Sequence, residues 1–109
     1  MITRTREEVI KRWVAALRSG EYKQARHALK TDTGFCCLGV LCDLAAKDGG
    51  SQWALRSPDY YTYMGNSGVL PPVFRRFLGR GVNENKLVRM NDEGTSFDII
   101  ADYIEREAL

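Results

Sequence analysis

Histidine occurs once in this chain, cysteine three times and proline three times, and no apolar run approaches the ~20 residues that a membrane-spanning helix needs. With His27 alone no H-E-x-x-H pair can form, and neither a Ser-His-Asp order nor a glycine-rich phosphate loop is present. Gly79-Arg80-Gly81 lacks both the spacing and the lysine of such a loop. The odd cysteine count leaves at least one thiol unpaired in any disulfide scheme. The N-terminal residues are charged and amphipathic, without the apolar centre of a secretory signal, so the expected location is the cytosol, away from any membrane. Nothing here has the pattern of the common hydrolases, phosphate-loop enzymes or secreted disulfide scaffolds.

What is present suits one domain over residues 1–109, long enough to bury about two thirds of the surface its unfolded chain exposes. Hydrophobic residues make up 44% and charged residues 28%, an ordinary balance for a globular chain. The net charge of +2 hides an uneven spread. Residues 1–30 hold eight basic against three acidic side chains, whereas residues 91–109 hold one against six. Mutual attraction of the two terminal helices is the expected use of this split. A basic face for nucleic acid is the other, although a net charge near zero argues against a dedicated DNA binder.

The first helix is well marked. Thr5-Arg6-Glu7-Glu8 is a capping box, followed by Val9, Ile10, Trp13, Val14 and Leu17 at helical spacing and a stop at Ser19-Gly20. Residues 21–35 carry a weak pattern, read as a short strand or irregular segment before the turn Thr31-Asp32-Thr33-Gly34, with Gly34 free to turn left-handed. Cys37, Leu38, Leu41, Leu44 and Ala45 share one face of a second, buried helix that ends at Gly49-Gly50, with Asp43, Lys47 and Asp48 facing away. Residues 52–64 suit a hairpin turning at Ser57-Pro58-Asp59, and Pro71-Pro72 open a short helix from Val73 to Leu78. Asn83-Glu84-Asn85 reads as a linker, Lys86–Met90 as a short apolar element and Asn91–Gly94 as a turn. Thr95 then caps the last helix, with Asp98 at its third position. The expected class is α+β: three main helices with a small antiparallel sheet.

The segment Gly34-Phe35-Cys36-Cys37-Leu38-Gly39-Val40-Leu41-Cys42 invites a chemical reading. Structural zinc takes four ligands, usually in spaced pairs, whereas C-C-x4-C on a helix points neighbouring thiols about 100° apart. A thiolate nucleophile would need a base, and only His27 offers one. Cysteine is also among the most frequently buried residues, and Leu38, Val40, Leu41 and Leu44 surround these three. Burial in the core is therefore expected, with no metal and no cofactor. A glycine inside this helix, Gly39, calls for the close approach of another backbone, expected to be the first helix beneath Trp13.

Several polar and aromatic residues have no evident fold role. Arg18, Tyr22, Lys23 and Gln24 follow the first helix; Tyr60, Tyr61 and Tyr63 lie on the hairpin; Asn66 and Ser67 sit in the loop after it; Arg75 and Arg76 follow the prolines. Rings stack on bases, and arginine or lysine neutralises phosphates. The expected binding set is Arg18, Tyr22, Lys23, Gln24, Tyr61, Asn66, Ser67 and Arg75, serving a host protein or a small nucleotide-like ligand without catalysis. A homo-oligomer fits this expectation, because a chain this small gains a concave site readily between subunits. The alternative is a nucleic-acid-binding regulator using the basic first helix, and a third reading makes Cys36 or Cys37 a nucleophile with His27.

WVAALRSGEYKQ, FCCLGVLCDLAAK, GNSGVLP and MNDEGTSFDIIADYIE run in this order from Trp13 to Glu105. Together they resemble a family of small bacteriophage and prophage proteins without assigned activity, in which CCLGVLCDL is the distinctive block. The resemblance implies a phage accessory protein in the cytoplasm of a bacterial host. Such proteins commonly bind and neutralise something of the host's, which makes counter-defence the expected role. Residues 79–86, GRGVNENK, depart from the resemblance by being short and polar.

Overall fold

Thr5 Oγ1 accepts the Glu8 N–H at 3.1 Å and the Glu8 carboxylate accepts the Thr5 N–H at 3.3 Å, which starts helix α1 (Arg6–Arg18) as the capping box requires. The computed structural model describes residues 4–79 and 81–109. In α1 the side chains of Val9, Ile10, Trp13, Val14 and Leu17 are buried, each such burial stabilising by roughly 1.5–3 kcal/mol for a large aliphatic or aromatic group. Their cover is α2 (Cys37–Lys47) on one side and α4 (Phe97–Ala108) on the other. The Trp13 indole donates to the Cys37 carbonyl at 2.9 Å, so the largest core side chain also fixes the crossing of α1 and α2.

The opposite charges of the chain ends do meet. Arg18 bridges Asp102 at 2.6 Å and Glu105 at 3.2 Å across the α1–α4 seam, on top of an apolar contact made by Phe97, Ile100, Ala101, Tyr103 and Ile104. The ion pair is exposed to solvent and screened by it, so burial decides the packing.

The sheet has three antiparallel strands in the order β1 (Lys30–Thr31), β3 (Tyr60–Thr62), β2 (Ala54–Ser57). The hairpin turns where Ser57-Pro58-Asp59 predicts, and an irregularity between Leu55 and Ser57 shifts its register. The class is α+β as expected, with one helix more. Glu84–Asp92 forms α3, where the sequence reads as linker, apolar stretch and turn. Asn83 caps it by accepting the Lys86 N–H at 3.1 Å, and only Leu87 and Asn91, one turn apart, are buried. A stripe of two residues is too thin to reveal helical periodicity. A 3-10 helix spans Pro72–Phe77, one residue earlier than expected.

Two further expectations need correction. Ser96 rather than Thr95 caps α4, accepting the Ile99 N–H at 3.3 Å, because the Thr95 backbone is already bonded to Met90 and Gln24. Gly34 keeps an ordinary φ; its bare Cα is needed because a Cβ would collide with the Lys23 carbonyl. Gly39 has the packing reason expected of it, but the backbone pressed against it is that of Leu29, whose carbonyl a Cβ would overlap.

Candidate functional site

Residues 23–36 leave α1 and return to α2 as a loop zipped at its ends. Ala25 N–H donates to Phe35 and Phe35 N–H to Lys23, both at 2.8 Å, while Leu29 N–H donates to Ser67 at 2.6 Å and Cys36 N–H to Leu29 at 3.1 Å. Residues 26–28 bridge these anchors, and His27 there has φ +67°, a left-handed conformation that costs an L-residue about 1–2 kcal/mol.

Two adjacent side chains at the end of α3 hold it there. The Asn91 side chain is 1% exposed; its Oδ1 accepts from Cys37 N–H at 3.1 Å and from Gln24 Nε2 at 3.0 Å, and its Nδ2 donates to Ala25 at 2.7 Å. Asp92 accepts the His27 N–H at 3.0 Å, and its other oxygen lies 3.4 Å from His27 Nδ1. A charge-assisted bond to a carboxylate offsets much of the left-handed cost. The imidazole, fixed at its base, stands in solvent.

Two clefts adjoin at His27 and Ala28. The inner one, about 150 Å³, is lined by Cys36, Gly68, Val88, Asn91 and Asp92. The outer one, about 360 Å³, is lined by Arg26, Thr31, Asp59, Tyr60 and Ser67. Strand alternation selects this lining: Thr31 pairs with Tyr60 on the cleft face, whereas Lys30 pairs with Tyr61 on the opposite face. Arg26 makes no ion pair with any of the described residues, and its guanidinium lies against Gly94, just after α3.

The sequence-predicted binding residues divide three ways. Ser67 lines the outer cleft. Arg18, Tyr22 and Gln24 meet in a separate cleft of about 240 Å³ at the start of α4, beside Ser96, Phe97 and Asp98. Their polar groups already serve the fold: Arg18 in its acid pairs, Tyr22 Oη donating to Asp43 at 2.7 Å, and Gln24 donating to Asn91 and Thr95. The remaining four lie apart. Lys23 is exposed, and Tyr61 faces away from the His27 cleft. Asn66 closes a tight turn with Tyr63, and Arg75 pairs with Glu84 at 2.9 Å. Tyr60, named with its hairpin neighbours but left out of the expected binding set, lines the outer cleft; Arg26, Thr31 and Asp59 were not expected there, and nothing local marks them as lining residues.

The three cysteines are buried, as their neighbours imply. Cys36 caps α2, its sulfur accepting the Gly39 N–H at 3.4 Å, and burial pushes its thiol up to about 11. Burial raises Cys37 and Cys42 in the same direction, and the Cys37 thiol faces the Leu87 carbonyl. At neutral pH all three are protonated and poor nucleophiles. Asp43, expected to face away from the core, instead accepts from Tyr22 and from the Trp53 indole. Among the described residues no three His, Cys, Asp or Glu side chains are grouped to hold a metal ion.

The family described as Domain of unknown function (DUF8296) matches residues 5–83, a stretch that contains α1, the His27 loop, α2 and the sheet. No curated protein and no solved structure matches the chain.

Proposed function

The chain belongs to the family described as Domain of unknown function (DUF8296), a description that carries no activity, and we propose that it is a non-catalytic binding module whose His27 cleft takes a small nucleotide-like ligand. One observation carries this reading: a histidine held in a left-handed conformation between two clefts, with an exposed arginine and an exposed tyrosine in the lining beside it. Strained residues that their surroundings hold in place concentrate at ligand clamps. A cleft of about 360 Å³ is of the size small-molecule sites have. Tyr60 offers a face for a base, Arg26 and His27 donors for a phosphate, and Ser67 and Asp59 partners for sugar hydroxyls. The protonated, buried thiol of Cys36 supports binding without turnover.

In the setting implied by the phage resemblance, the module sequesters a nucleotide-like signal in the cytoplasm of a bacterial host, as a counter-defence protein. No helix among the described residues is long and apolar enough to cross a membrane. The runner-up, a nucleic-acid regulator using the basic first helix, has the ion pairs against it. Lys11 pairs with Glu7, Arg12 with Asp48 and Arg18 with Asp102 and Glu105, while Arg6 donates to the Ala108 and Leu78 carbonyls. Phosphates would have to displace these partners before gaining affinity.

Native mass spectrometry of the protein after incubation with bacterial extract, set against its denatured mass, tests the reading and gives the stoichiometry. A retained small mass, lost in Arg26→Ala and Tyr60→Ala variants of unchanged stability, is the expected result. A bare mass in every extract overturns the small-ligand reading and turns the search to a host protein target.

A further inference from the structure

On the face of the sheet opposite the His27 cleft, one ammonium group lies among three aromatic rings. Lys30 Nζ is 4.5 Å from the Tyr61 ring centroid, 5.3 Å from that of Phe35 and 5.5 Å from that of Trp53. All three distances fall inside the ~6 Å within which a cation is drawn to a ring face. Lys30 makes no ion pair with any of the described residues, so the rings are its only electrostatic partners there.

The walls stand without the lysine. The Trp53 indole donates to Asp43 at 3.0 Å and its ring packs on Tyr63 at 5.0 Å. Phe35 meets Trp53 at 6.1 Å and Tyr22 edge-on at 5.1 Å. Tyr61 is held by its strand, opposite Lys30 on one side and Leu55 on the other. Each wall is half-buried, so part of each of the three residues is in contact with solvent.

We propose that Phe35, Trp53 and Tyr61 form an aromatic cage for a quaternary ammonium group, and that Lys30 is the cage's own removable plug. A primary ammonium is compact and strongly hydrated, and it sits on a stem with four rotatable bonds. It surrenders water and conformational freedom to enter the cage. A quaternary ammonium keeps its charge, binds water weakly and presents methyl groups to the rings, which is the chemistry such cages recognise. Because the plug competes for the same space, the native chain has reduced apparent affinity, in proportion to the fraction of time the cage stands open. This site is independent of the His27 cleft.

The test is a titration with tetramethylammonium chloride against sodium chloride at equal ionic strength, read by tryptophan emission. Trp13 is fully buried in the core, so a change reports on Trp53. The expected result is weak saturable binding to the native protein and binding about tenfold tighter to Lys30→Ala, as follows if the plug occupies the cage about nine-tenths of the time. Adding Tyr61→Leu to Lys30→Ala should abolish the response while leaving the fold intact. Trp53→Leu would also remove the indole bond to Asp43, which makes Tyr61 the cleaner wall to test. If Lys30→Ala folds and shows no saturable response, or responds equally without Tyr61, Lys30 is a structural strut and the proposal fails.

Discussion

The carbonyl of Leu29 lies against the bare Cα of Gly39, in the space where any other residue would place its Cβ. Through this contact the 23–36 loop rests directly on α2, and the clefts at His27 open beside the same loop. Both backbone groups of Leu29 are committed, its N–H to Ser67 and its carbonyl to Cys36 N–H, so the loop has little freedom to retreat there.

Gly39→Ala should therefore destabilise the protein although alanine is the better helix former by about 1 kcal/mol. Overpacking against backbone outweighs that gain. A net loss of about 2 kcal/mol, or roughly 10 °C in Tm for a domain of this size, is expected in chemical and thermal denaturation. An unchanged or raised midpoint would show that the contact is slack.

Asn91→Ala removes a side chain that satisfies three partners at once, leaving the buried Cys37 N–H and the partly buried Ala25 carbonyl without it. Each orphaned group costs about 1–3 kcal/mol, so urea unfolding should show a loss of about 3 kcal/mol. A loss below about 1 kcal/mol would contradict the role given to Asn91.

Stability should fall on the alkaline side. Cys36 ionises at about 11 in the folded chain, and near the ordinary thiol value when unfolded; Cys37 and Cys42 are raised in the same sense, and burial raises Tyr63 to about 12. The unfolded state thus releases these protons first as pH rises. The stability they confer is complete below about pH 8 and is lost progressively between about pH 9 and 12, with about 2–3 kcal/mol of the loss from Cys36 alone. Urea midpoints measured from pH 7 to 11 check the direction. In the same samples, a thiol reagent should label the native protein at pH 8 only at the rate of unfolding.

His27→Gly and Asp92→Ala separate strain from binding. Glycine adopts the left-handed conformation freely, so His27→Gly should leave stability within about 1 kcal/mol of the native protein. Asp92→Ala removes the carboxylate that holds the loop and should cost about 1–2 kcal/mol. Both should weaken whatever small ligand native mass spectrometry retains, as read by calorimetry. Full binding by both variants would mean that His27 is not part of the site.

Local signals in the sequence account for the parts of the fold that they should. Thr5 and Glu8 specify their cap within one turn, and five apolar residues at helical spacing can bury only one face of α1. Pro58 forces the hairpin turn. The apolar neighbours of Cys36, Cys37 and Cys42 imply burial, and the charges at the two ends imply the α1–α4 seam. Helix α3 escaped because its buried face is two residues wide. Asn83-Glu84-Asn85 reads equally well as linker or as cap and first turn, and only a packing partner for Leu87 decides between them.

The candidate site was less legible, and for a physical reason. Arg18, Tyr22, Gln24 and Arg75 are the polar residues a reader would select, yet in the folded chain their donors are taken by Asp102, Asp43, Asn91 and Glu84. Tyr60 and Tyr61 are adjacent and chemically alike. Strand alternation sends one to the cleft and the other to Lys30, and the register that makes this choice is set by β1, thirty residues earlier.

By itself the sequence determined the class, the two strongest helices, the hairpin and the burial of the cysteines, because capping, periodicity and turn chemistry act within a few residues. Only the tertiary structure decided which cations stay free, which tyrosine faces the cleft, why His27 turns left-handed and which backbone lies on Gly39. Each of those depends on a partner ten or more residues away, such as Asp92 for His27 or Leu29 for Gly39, and no local pattern names a partner at that distance.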